Sequence, residues 1–198
     1  ELEKLIEKEL KDLGMPDAKI KVVVEKKLNS PEELFSDRSG SGIDDIEFMF
    51  LPNPGEPYRP LREIASGGEL ARTMLSVAEV LSEVDDTALI VFDEIDANIG
   101  GRLGTEIGSK ISLLSQRHQI VCVTHLPQIA SFADKQYKIS KDVINGNTKT
   151  SLVELSGEKR LQELAEMIQG KNYTEITLKQ AEDLLNKGQT QRKKLLKT

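Results

Sequence analysis

The chain has 198 residues, of which 38% are hydrophobic and 4% aromatic with no tryptophan, and its formal net charge is −6. That length supports a globular core, here an aliphatic one built from Leu, Ile and Val. The acidic balance argues against binding nucleic acid over the whole surface, and no apolar run approaches the length of a membrane span.

Residues Glu1–Leu13 place Leu2, Leu5, Ile6, Leu10 and Leu13 on one helical stripe, which predicts an amphipathic helix. The pattern begins without an initiator Met or an N-cap, as expected of a piece of a longer helix or coiled coil. Gly14-Met15-Pro16 ends it. Lys19–Lys27 alternates around Ile20, Val22 and Val24 and reads as a strand, and Asn29–Gly42 reads as a polar loop. Ile43–Leu51 alternates at Ile46, Phe48 and Phe50 and reads as a second strand. Pro52–Pro60 holds four prolines, which excludes helix and central strand.

Ser66-Gly67-Gly68-Glu69 then opens a helix, with Ser66 and Glu69 spaced as a capping box and Leu70, Met74, Val77 and Leu81 forming the stripe behind. Glycine lowers helix stability by about 1 kcal/mol per position relative to Ala. Two glycines in a first turn therefore mark either a tolerated cap or a place where a ligand approaches the backbone. A helix N-terminus with free N–H groups and a serine hydroxyl suits phosphate.

Ala88–Phe92 is a continuous apolar run, the pattern of a strand buried on both faces of a parallel sheet. Asp93 and Glu94 follow it at once, at the end where open α/β sheets bind ligands. The plainer alternative is a strand that merely ends at the surface. Asp96 and Gly100-Gly101 lead into a helix over Arg102–Ser115, and Gln119–Thr124 is a second short apolar strand with His125 at its end. The single cysteine, Cys122, lies within this strand and reads as a buried small hydrophobe. With no signal peptide, one cysteine implies a reducing cytoplasm. His118 precedes the strand and is expected at the surface. Pro127–Ala133 predicts a short helix, and Tyr137–Ile139 and Thr150–Leu155 flank the hairpin signal Asn145-Gly146-Asn147. A helix over Leu161, Leu164, Ala165 and Ile168 stops at Gly170, and a last one runs through Leu184-Leu185. After Asp183 every charge is basic (Lys187, Arg192, Lys193, Lys194, Lys197), which reads as a frayed, solvated end or as a phosphate-backbone contact.

Three features in this order resemble the second half of an ATP-binding-cassette (ABC) ATPase head: Ser66-Gly67-Gly68-Glu69, the strand Leu89–Phe92 with Asp93, Glu94 and Asp96, and strand-end His125. In that superfamily they are the signature motif, the Walker B strand with its D-loop, and the switch histidine. The chain further resembles the RecN family of SMC-like DNA-repair ATPases through Pro52–Pro57, Ile64–Leu70, Phe92–Asp96, Thr124–Ala130 and Arg160–Leu185. It departs at Ala97-Asn98, where the family often has Thr-Gly or similar after the Asp96-type residue.

The resemblance implies an α/β fold, the C-terminal lobe of an ABC/SMC-type head. Mainly parallel central strands would be flanked by helices, with residues 1–14 a coiled-coil stub and 15–198 the lobe. It implies ATP and Mg2+ as cofactors. Asp93 would hold the metal through water, Glu94 and His125 would be catalytic, and Ser66, Gly67, Gly68 and Glu69 would bind the partner's ATP in trans. Asp96 would line the dimer seam. Implied partners are the N-terminal half of the same protein, a second head in a homodimer, and DNA through the full-length protein, with no membrane. The compartment would be the bacterial cytoplasm, at the nucleoid. No Gly-x4-Gly-Lys-Ser/Thr phosphate loop occurs in the chain. The nearest string, Gly108-Ser109-Lys110, falls in a predicted helix interior, so the chain alone is expected to be inactive. Half of a transporter ATPase, or a metal-dependent hydrolase using Asp93, Glu94 and His125, are the alternatives.

Overall fold

The computed structural model describes residues 1–26, 44–64, 66–144 and 147–196. Within the chain two units separate, Glu1–Val80 and Leu81–Thr198. In the first, helix α1 (Leu2–Asp12) packs on strand β1 (Lys19–Lys26), and Ile6, Leu10 and Leu13 of its stripe are fully buried. Glu3 of this helix accepts a hydrogen bond from the Val22 amide at 2.8 Å, which ties it to the strand. Strand β1 pairs antiparallel with β2 (Asp44–Leu51), so that Ile20 faces Phe50 across the ladder and both are buried. Strand β3 (Arg59–Pro60) adds to the outer edge of β2, where the missing N–H of proline costs nothing. A 3₁₀ turn over Leu61–Glu63 leads toward helix α2 (Gly67–Leu81). The loop expected over residues 29–42 lies outside the described residues.

The second unit begins with strand β4 (Leu89–Phe92). It crosses through helix α3 (Gly101–Leu114) and returns as β5 (Gln119–Cys122), parallel and in register from Leu89–Gln119 to Phe92–Cys122. Short helix α4 (Pro127–Ala130) follows, then strands β6 (Gln136–Ile144) and β7 (Asn147–Leu155), and helices α5 (Gly157–Gln169) and α6 (Glu175–Leu195). Among the described residues β4–β5 is the only parallel pair; β1–β2–β3 and β6–β7 are antiparallel. The last follows from connection length, since two residues between Ile144 and Asn147 leave no room for a parallel crossover. Residues 145 and 146, the centre of the predicted turn, are outside the described set.

The β4–β5 run is not buried on both faces. Ile90, Phe92, Ile120 and Cys122 turn inward, whereas Leu89, Val91, Val121 and Val123 are 44–59% exposed on the other side. Parallel sheets are normally covered on both faces. Among the described residues of the second unit, this apolar face has no covering layer.

Between helices α4, α5 and α6, Ala130, Leu164, Ala165 and Ala181 form a core joined by Met167, Tyr173, Leu178 and Leu185. Gly104 and Gly108 of α3 are buried, and Cβ atoms there would lie 3.0 Å from Leu126 Cδ1 and 2.5 Å from Phe132 Cδ2. The Gly108-Ser109-Lys110 string is thus a helix interior whose glycines admit a close neighbour. His118 departs from its expected surface position. It is 4% exposed, and its Nδ1 lies 2.6 Å from the Thr87 carbonyl, pinning the start of β5 to the approach of β4. The basic run after Asp183 is helical as far as Leu195, and Arg192 makes a two-pronged ion pair with Asp134. No helix among the described residues is long and apolar enough to cross a membrane.

Gly108→Val should destabilise the second unit by about 2 kcal/mol through overpacking against Phe132. Chemical denaturation of the chain measures this; an unchanged midpoint would show that the α3–Phe132 contact has room to spare.

Candidate functional site at the ends of the parallel strands

Because β4 and β5 are parallel and in register, the residues that follow them emerge side by side at one edge. The Val123 amide donates to the Phe92 carbonyl at 2.9 Å, and there the ladder ends. Asp93 and Glu94 are exposed immediately beyond, and the Asp93 Oδ1 accepts from the Glu94 amide at 2.9 Å. The chain then turns sharply. Ala97 donates to the Glu94 carbonyl at 2.9 Å, and Glu94 itself adopts φ +57°. A left-handed conformation is uncommon for glutamate and is tolerated only where the surroundings fix it. Asn98, at φ +60°, is the second such residue. Asparagine is the residue that after glycine best accepts this region, so Asn98 suits the backbone conformation it adopts here.

Asp96 holds the edge together. It is 4% exposed, and its Oδ2 collects the Thr124 hydroxyl, the His125 amide at 2.8 Å, the Leu126 amide at 3.3 Å and the His125 Nδ1 at 3.0 Å. The Thr124 Oγ1 also accepts from the Leu126 amide at 3.0 Å. A desolvated carboxylate is stable only when such donors replace water. The His125 side chain is 71% exposed, so the ring is tethered at Nδ1 while its other edge faces solvent. Asp96 points into this unit in the described chain.

Cys122 lies one layer beneath, half-buried. Burial above all, then the negative charges of Asp96 and Asp93, push its thiol up to about 12. It is a neutral packing group at physiological pH, and a nucleophilic role has no support.

Ser66, Gly67, Gly68 and Glu69 belong to the first unit. Helix α2 starts at Gly67, and the Ser66 Oγ accepts from the Glu69 amide at 3.4 Å, a long bond that leaves the hydroxyl weakly engaged. Gly67 is exposed and Gly68 buried. The structure thus brings Asp96 and His125 into contact and sets Asp93 and Glu94 at the adjoining strand end.

Sequence reading missed what stands behind His125. The Arg160 guanidinium of α5 donates to the Ala130 and Ala133 carbonyls at 3.1 and 2.7 Å, and Gln189 of α6 donates to the Ser131 and Ala133 carbonyls at 2.8 and 3.1 Å. Burial lowers the pKa of Arg160 from its ordinary value, and nearby Asp134 opposes the shift. No sequence pattern marks a polar residue for capping carbonyls that lie tens of positions away.

No family model matches the chain. The DNA repair protein RecN of Treponema pallidum (strain Nichols) is 40% identical over 189 residues, 95% of this chain and 32% of that protein. The DNA repair protein RecN of Streptomyces coelicolor is 38% identical over 189 residues, 93% of this chain and 33% of its own length. The chain belongs to the RecN family. It spans about a third of the length of these RecN relatives. Among solved structures, the Smc head domain with a coiled coil and joint from Pyrococcus yayanosii aligns with a TM-score of 0.54 at 24% identity, covering 85% of this chain and 29% of that one. The fold of this RecN segment is therefore that of part of an Smc head.

Asp96→Ala would strip the Thr124, His125 and Leu126 donors of their acceptor. Stability should fall by about 2 kcal/mol, and hydrogen exchange at the His125 and Leu126 amides should accelerate. Unchanged protection at those two amides would rule out the anchoring role.

Proposed function

We propose that this chain is the C-terminal lobe of a RecN-type, SMC-like ATPase head acting in bacterial DNA double-strand-break repair and recombination, in the cytoplasm at the nucleoid. Residues 1–14 are the stub of its coiled coil and residues 15–198 the lobe. The observation that carries this reading is the meeting of two parallel strand ends, one bearing Asp93 and Glu94 and the other His125, with His125 held by buried Asp96. Membership of the RecN family and the Smc-head fold support it.

The residues present fit ATP and Mg2+. Mg2+ keeps several waters and takes one or two carboxylates plus phosphate oxygens, which suits an exposed Asp93 at a strand end. No group of three or more His, Cys, Asp or Glu side chains that could hold a metal occurs among the described residues. Helix α2 opens on exposed Gly67 beside a weakly engaged Ser66 hydroxyl, as a phosphate-binding N-terminus requires. Membership of the RecN family disfavours the transporter alternative.

Bound Mg-ATP would supply the phosphoryl group, with the metal ion neutralising charge on the phosphate oxygens. Asp93 would hold the ion, Glu94 would orient and polarise the attacking water, and His125 would offer its solvent-facing edge to the γ-phosphate. Ser66, Gly67, Gly68 and Glu69 would bind the γ-phosphate held by a second head, and the turn at Asp96 would line the seam between the heads. The phosphate loop and its lysine come from the N-terminal half of the protein. The uncovered face at Leu89, Val91, Val121 and Val123 supports docking of that half, because an apolar sheet face of this kind needs a cover. ATP joins heads, hydrolysis parts them, and the full-length protein carries this to DNA. Without the phosphate loop the chain alone is inactive.

In the full-length protein, Glu94→Gln should preserve ATP binding and accumulate ATP-bound head dimers, because the amide is polar yet cannot take a proton. Turnover within about threefold of wild type would remove Glu94 from the chemistry. Ser66→Arg separates a cap from a phosphate site: as a cap it loses about 1 kcal/mol, whereas at a shared phosphate it blocks dimerisation while ATP still binds. Melting temperature, nucleotide affinity and ATP-dependent dimerisation on one preparation decide, and a lowered melting point with intact dimerisation would make Ser66 a cap only.

A further inference from the structure

We infer that Gln189 and Gly188 of helix α6, with Arg160 of α5, are positioning residues for His125; this rests on the ATPase reading above. The segment from Thr124 to Asp134 is gripped at both ends. In front, Asp96 takes the Thr124 hydroxyl and the His125 and Leu126 amides. Behind, helix α4 ends at Ala130 after a single turn; the Ala133 amide reaches the Ala130 carbonyl at 3.2 Å, and the carbonyls of Ser131 and Ala133 lie past the helix, beyond its own ladder.

Side chains from two later helices satisfy them. Arg160 bridges the Ala130 and Ala133 carbonyls, and Gln189 bridges those of Ser131 and Ala133. Arg192 clasps Asp134, one residue further on. The contact of α6 is close: a Cβ at Gly188 would lie 2.5 Å from the Ser131 Oγ and 2.9 Å from its carbonyl oxygen. Beneath, α3 presses on the same segment, since Cβ atoms at Gly104 and Gly108 would meet Leu126 and Phe132. Helix α4 therefore has little freedom to slide, and α6 backs from behind the position that Asp96 gives the exposed ring of His125.

The contacts these residues make with the His125 segment fall on Ala130–Asp134, so they act through the placement of His125. A misplacement of about 1 Å can cost up to a hundredfold in rate. Gln189→Ala in the full-length protein should lower kcat roughly tenfold while KM for ATP stays within about twofold. Gln189→Lys, which keeps a donor of similar reach, should retain most of the turnover. Gln189→Glu, isosteric without a donor, should be as impaired as Ala. In a His125→Ala background the Gln189→Ala change should cost nothing further, because two residues acting through one group are not additive.

An equal loss in both backgrounds, or a lowered melting temperature with unchanged kcat, overturns the positioning role and leaves the role of His125 standing. If His125→Ala alone leaves turnover unchanged, the ATPase assignment of His125 fails, and this inference fails with it.

Discussion

A single buried oxygen organises the second unit of this chain. The Asp96 Oδ2 accepts from two backbone amides and a hydroxyl and lies against the His125 ring, all while nearly shut off from solvent. Taking a carboxylate out of water costs several kcal/mol unless donors replace the lost hydration. Those donors come from beyond β5, whereas Asp96 lies beyond β4. The two strand ends are thereby fixed to each other past the point where the ladder stops. The left-handed turn at Glu94 and Asn98 follows from the same constraint, because the chain must reverse within a few residues to turn the Asp96 side chain inward.

Much of this was legible in the sequence. Continuous apolar runs located β4 and β5, the 3.6-residue stripes located α1, α2, α3 and α5, and Asn145-Gly146 located the β6–β7 connection. Composition and spacing could not say which face of β4–β5 would be covered. A strand written for burial on both sides looks the same whether its cover lies on the same segment or on another. His118 was misread because an imidazole before a strand gives no sign that a carbonyl thirty-one residues earlier will accept from it. The basic run divides: Lys187 and Lys193 are exposed as a solvated end would have them, whereas Arg192 is held to Asp134 and the neighbouring Gly188 and Gln189 pack the helix on Ser131 and Ala133.

Glycine carries three different meanings here, and sequence alone does not separate them. At Gly170, φ +89° ends α5 in a conformation that a side chain resists. At Gly104, Gly108 and Gly188 the helix is ordinary and the requirement is space for a neighbour. At Gly67 the backbone is exposed at a helix start beside a serine whose cap bond is long. Only the last kind suits a ligand. Gly108-Ser109-Lys110 superficially resembles part of a phosphate loop, but burial within α3 denies it the backbone exposure that phosphate binding requires.

The uncovered sheet face and the divided candidate site express one property. A parallel pair of strands cannot stand as a sheet by itself, because its hydrogen-bonding edges and one apolar face remain unpartnered. The chemistry at the strand ends is open in the same way: carboxylates and a tethered histidine are present, while the lysine-bearing loop that would cradle a triphosphate is absent from this sequence. Under the proposed reading, the segment that covers Leu89, Val91, Val121 and Val123 also brings that loop to Asp93 and Glu94. Hydrophobic burial then does the assembling and charge does the chemistry. The two are coupled through the few residues at the end of β4, where Phe92 turns into the core and Asp93 turns out of it.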